Sequence, residues 1–164
     1  MSYQEKKTIV NLFTGVLVLA SYCIYTFGKY QSGIVEPNDL KFWAGSMLWF
    51  IGIGIVASII MHIIFNIVNS VAIAIENRNC DDKVISKTIE SSAVEDEMVK
   101  LIDLKSMRVG FGIAGTGFVA ALVALVIGYS PAVMLNIIFL SCSVSSLFEG
   151  CLSLYYYRKG VKNG

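Results

Sequence analysis

Residues 42–75 contain no Asp, Glu, Lys or Arg, and this run restricts the fold more than any other feature of the chain. As one helix it is roughly 50 Å long, more than the ~30 Å of hydrocarbon in a bilayer, so it must tilt, bend or protrude. Protrusion is the expected outcome, because polar side chains collect toward its end. Ser58, His62, Asn66, Asn69 and Glu76 fall within a narrow arc when successive residues turn by about 100°.

Three further apolar runs, residues 8–27, 108–127 and 132–155, each suit a single crossing. Composition agrees: 55% of the 164 residues are hydrophobic and the mean hydropathy is +0.68, above the norm for a soluble domain. The expected fold is therefore all-α, an integral membrane four-helix bundle forming one domain over residues 1–164, with spans near 8–27, 42–62, 108–127 and 132–155.

The stretch before the third span shapes what lies outside the bilayer. Ser92 with Glu95 three residues on has the pattern of a capping box, and Glu95, Asp96 and Glu97 place negative charge where a helix N-terminus favours it. A helix is thus expected to start at Ser92 and run into the third span, leaving residues 76–91 as a polar linker. Helices 2 and 3 would then extend into a cytoplasmic helical hairpin over about residues 63–107. Its apolar stripes, Ile63, Ile64, Ile67 and Val71 on one arm and Val94, Met98, Leu101 and Ile102 on the other, would pack together or onto a neighbouring subunit.

Orientation follows from the basic residues. Of the 13 Lys and Arg, Lys29 and Lys41 fall on one side and the other eleven on the opposite side. The side richer in Lys and Arg is cytoplasmic, which places both termini and the central connector there in an inner or plasma membrane protein. Lys6 and Lys7 ahead of an apolar run imitate a leader peptide. The run is too long for one, and Tyr22 before Cys23 spoils a lipobox, so the segment is expected to stay as the first span. Tyr22, Tyr25, Tyr30 and Trp43 around the first loop have the composition of an interfacial aromatic belt.

The segment VEDEMVKLIDLKSMRVGFGI resembles a group of small bacterial and archaeal four-span membrane proteins without established activity. In that group an acidic cluster precedes an Ile and a Lys before a span. Glu95, Asp96 and Glu97 match the acidic part, Ile102 the apolar part and Lys105 the basic part, while the Arg of the cluster is missing here. The resemblance implies the four-span architecture and no activity.

Several function classes are excluded by what the residues lack. A net charge of +1 with no basic face argues against nucleic acid as a partner. Cys23, Cys80, Cys142 and Cys151 form no CxxC and have no His at metal-ligand spacing, so neither a metal nor another cofactor is expected. No nucleophile and base pair and no Gly-rich phosphate loop is present, so an enzyme is not expected.

The candidate sites are polar groups in apolar surroundings. Glu149 is the one acid within a span, about two turns from residues 155–159, with Ser145, Ser146 and Ser153 on its side of the helix. An ionisable group there costs on the order of 3 kcal/mol and marks function unless it snorkels or pairs, for example with Arg108. His62 gains a proton-linked role if it lies near Glu149; otherwise it is a polar residue satisfied at the membrane surface. Asn66 and Asn69 suit hydrogen bonds between helices.

Small residues form ladders along three spans: Gly112, Thr116, Ala120 and Ala124; Gly54 and Ser58; Cys142, Ser146 and Gly150. They allow close packing within the bundle or along a homodimer seam. The leading functional expectation is an oligomeric, non-enzymatic membrane protein with a scaffold, signalling, accessory or immunity-type role. Its hairpin, through Met98, Leu101 and Ile102, would engage a cytoplasmic or membrane protein partner or its own copy, with membrane lipid around the spans. The alternative is a small proton-coupled transporter or channel using Glu149.

Overall fold

The computed structural model describes residues 3–36, 38–76 and 83–160, apart from the side chains of residues 3, 69, 70 and 72–96. These residues form four helices: α1 (Tyr3–Gln31), α2 (Leu40–Glu76), α3 (Lys83–Val126) and α4 (Pro131–Lys159). All four are long and apolar enough to cross a membrane, with candidate spans Gln4–Gln31, Leu40–Val68, Glu97–Val126 and Pro131–Lys159. The expected all-helical architecture of four helices is present, and four long apolar helices are compatible with a membrane bundle. At 37 and 44 residues, α2 and α3 exceed the 29-residue α1 and α4 by roughly 10–20 Å at 1.5 Å per residue.

Helix boundaries follow local chemistry. Asp39 caps α2, its side chain accepting from the Phe42 N–H at 3.1 Å. α3 ends at a Schellman turn: Gly128 is in the left-handed region at φ 99°, with Tyr129 N–H donating to Ala124 O and Gly128 N–H to Leu125 O. Ser130 then caps α4, accepting from Val133 N–H at 3.4 Å, and Pro131 occupies the first helical position, where its missing N–H costs nothing. One boundary departs from expectation. α3 begins at Lys83, so Ser92 lies within the helix, and the linker shrinks to residues 77–82, outside the described residues. KVISKTIES has no helix breaker, and a capping-box pattern stops nothing when helix formers precede it.

The helices alternate in direction, and α3 packs most extensively on α4. α1 contacts both α4 and α2, α2 touches α4 to a lesser degree, and among the described residues α3 has no substantial contact with α1 or α2. The bundle is therefore open, with α3 joined to it through α4. The apolar faces proposed to join the two arms are uncovered: Ile63, Ile64, Ile67 and Val71 are exposed on α2, and Met98 and Leu101 are each 44% exposed on α3. Ile102, grouped with them by spacing, is 1% exposed and lies on the face of α3 that meets α4.

Small residues control that interface, but not in the register that the sequence suggests. Ile102, Ser106, Gly110 and Ala121 are buried and, with Gly117, share one face of α3. The Gly112, Thr116 and Ala120 ladder points away; no atom lies within 4 Å of a Cβ placed on Gly112. A methyl group on Gly117 would collide with Ser141 of α4, so that approach requires glycine. Tyr22 is another correction to the sequence reading. It is 1% exposed, packs edge-on to Phe50 of α2 and at 4.5 Å from Phe139 of α4, and donates its hydroxyl hydrogen to Asn136 Oδ1 at 2.7 Å. Tyr22 ties three helices together, whereas Tyr25, Tyr30 and Trp43 form ring contacts near the first loop.

Candidate functional site: a polar cleft beside Glu149

A cleft of about 850 Å³ opens between α1, α2 and α4, with Asp103 of α3 at its edge. Polar stripes at helical spacing carry one wall each. α1 contributes Thr8, Asn11 and Thr14, α2 contributes Ser58 and His62, and α4 contributes Ser143, Ser146, Glu149 and Ser153. Phe50, Phe139 and Leu147 are among the apolar remainder. His62 and Glu149, from different helices, thus face the same space.

Glu149 is half-buried beside Gly110 of α3. A Cβ on Gly110 would lie 3.2 Å from Glu149 Oε2 and 3.2 Å from Ser145 Oγ, so glycine at 110 makes room for the carboxylate. Ser145 does not solvate Glu149. Its hydroxyl donates to Gly110 O at 2.6 Å, a buried bond between α3 and α4. Ser106, one turn earlier on α3, is 0% exposed and its Oγ has no hydrogen-bond partner among the described residues. Arg108, a candidate partner for Glu149, is exposed.

Four of the hydroxyls along the cleft share one habit. Thr8 donates to Gln4 O, Thr14 to Val10 O, Ser143 to Phe139 O and Ser146 to Cys142 O, each one turn back on its own helix. Such back-bonding commits the hydroxyl proton and leaves the oxygen lone pairs as acceptors. His62 follows suit: its Nδ1 lies 2.8 Å from Ser58 O, a carbonyl that can only accept. Nδ1 therefore carries the proton, and in the neutral ring Nε2 is an acceptor.

Asp103 was not among the expected site residues, since an acid in a charged lead-in reads as solvent-facing. It lines the cleft with Lys7 of α1 and Tyr157 of α4 within electrostatic reach. The α1 contribution was also missed, although Thr8, Asn11 and Thr14 recur at a spacing of three in an apolar span, a pattern visible in the sequence. Asn66 is exposed and does not line the cleft, and the side chain of Asn69 lies outside the described residues. Met98 and Leu101 are elsewhere, on the exposed side of α3.

Cys23, Cys142 and Cys151 are free thiols on exposed positions, and Cys80 lies outside the described residues. Among the described residues no group of three His, Cys, Asp or Glu side chains is placed to hold a metal ion. Compared with known protein families, curated proteins and solved structures, the chain matches none.

Proposed function

We propose that this chain is a small, non-enzymatic multi-pass membrane protein that acts as a proton-coupled transporter or channel through the cleft beside Glu149. The observation that carries this reading is the convergence of Glu149 and His62, from α4 and α2, on one polar cleft within four apolar helices. An ionisable residue inside a span is costly and is retained where it faces a polar cavity and moves charge. Four helices leave no wide pore within one chain, so the working unit is an oligomer. The distribution of basic residues supports an orientation with both termini and the connector in the cytoplasm.

The test is reconstitution of the purified protein into liposomes with an imposed pH gradient. Proton flux that Glu149→Gln abolishes, with helix content and oligomer size unchanged, supports the reading. Flux equal in wild type and Glu149→Gln overturns it.

A second reading, the oligomeric scaffold with a partner-binding cytoplasmic hairpin, is favoured by the length of α2 and α3 and the uncovered Met98 and Leu101. Met98→Glu then disrupts assembly or partner capture, while Glu149→Gln leaves both intact. The resemblance to small four-span membrane proteins agrees with either reading.

A further inference from the structure

We infer that the cleft between α1, α2 and α4 binds an organic ammonium ion, an amine with N–H donors on an apolar body, and that Glu149 is its counter-ion. The inference rests on the cleft reading above and names its substrate class. It comes from what the lining offers a ligand. No Lys or Arg is among the lining residues, whereas Glu149 and Asp103 both are. Lys7 lies within reach of Asp103, whereas no Lys or Arg lines the cleft with Glu149, and the basic side chain that shares its lining is His62.

The neutral groups point the same way. The hydroxyls of Thr8, Thr14, Ser143 and Ser146 have given their protons to backbone carbonyls, so each turns toward the cleft as an acceptor. His62 Nδ1 is committed to Ser58 O, so in the neutral ring Nε2 adds another acceptor. Asn11, Ser58 and Ser153 can donate as well as accept, but the two carboxylates and the four committed hydroxyls leave acceptors in excess, which disfavours an anion and suits a ligand that brings N–H groups.

The remaining walls set the ligand's body. Phe50 and Phe139 supply aromatic faces suited to a cation or a ring, and Leu147 and Ile55 supply apolar surface. The volume of about 850 Å³ falls within the usual range of roughly 300–1,000 Å³ for small-molecule sites. A bare metal ion would leave most of this space and its apolar walls unused. An ammonium on a hydrocarbon or aryl body uses both.

The experiment is equilibrium binding of 4-phenylbutylammonium to the full chain in lipid nanodiscs at neutral pH. Its trimethylammonium analogue and 5-phenylvalerate, a carboxylate of similar shape, serve as comparisons. Saturable binding of the amine is expected, at least tenfold tighter than the carboxylate and severalfold tighter than the trimethyl analogue. Glu149→Gln should weaken the amine at least tenfold and Glu149→Asp much less, while Ser146→Lys, which places a cation in the cleft, should abolish binding.

Equal affinity for amine and carboxylate, or a change of less than twofold in both Glu149→Gln and Ser146→Lys, overturns the inference. Binding needs no gradient, so its failure is separable from that of transport. Glu149-dependent amine binding without flux sinks the transport reading alone, and proton flux without amine selectivity sinks this inference alone.

Discussion

Glu149 stands between two regions of opposite construction. On one side α3 and α4 meet through Gly110, Gly117, Ala121 and Ser145, residues so small that the backbones nearly touch and side chain meets backbone at 2.6 Å. On the other side α1, α2 and α4 are bridged by the bulky rings of Tyr22, Phe50 and Phe139, and a cleft lies between the same helices toward His62 and Asp103. The difference teaches how a small membrane protein can be both firm and open. In lipid there is little hydrophobic drive between helices, so the backbones come closest where residues are small and stand further apart where aromatic rings fill the space between them.

By that contrast, substitutions that add bulk to the α3–α4 face should cost stability and those in the cleft wall should not. The largest effect is expected at Gly117, where a methyl group meets Ser141. Gly117→Ala should destabilise by about 1–3 kcal/mol, read from unfolding in detergent, and a neutral result would mean that α3 and α4 are not in this register. Next is Tyr22→Phe, which removes the hydroxyl bond to Asn136 within the bundle. A loss of about 0.6–1.7 kcal/mol is expected, the range for hydrogen bonds between membrane helices.

Gly112→Ala should act in the opposite direction to Gly117→Ala. With open space at its Cβ it should stabilise by about 0.5–1 kcal/mol, since alanine is the better helix former. Ser106→Ala sharpens the comparison further. The buried hydroxyl has no partner among the described residues, so its removal should leave stability unchanged or raise it by up to about 1 kcal/mol despite its central place in the interface. Smallest of all, Ser143→Ala in the cleft should shift the unfolding midpoint by less than about 0.5 kcal/mol. A larger cost there would show that the cleft wall is structural.

Much of this was legible in the residues. The uncharged residues 128–131 (GYSP) have the composition of a tight turn between two spans, and in the structure Gly128 ends α3, Ser130 caps α4 and Pro131 takes its first helical position. The start of α3 was misplaced because Ser92 has the composition of a cap without a breaker before it. At the candidate site, Glu149 and His62 stood out as polar groups in apolar runs. Asp103 did not, because an acid among charged neighbours has no local contrast, and its place at the cleft depends on how α3 lies beside α4.

The sequence by itself determined the four helices, their stops and which residues could meet lipid, since these depend on local backbone chemistry and on apolar length. Which face of each helix turns inward was decided only in three dimensions. Lipid tails and a helix interior are equally apolar, so hydrophobic spacing cannot tell the Gly110 and Gly117 face of α3 from the Gly112 and Thr116 face. The choice falls to steric fit between helices distant in the chain, as when Gly117 admits Ser141 and Gly150 admits Leu12.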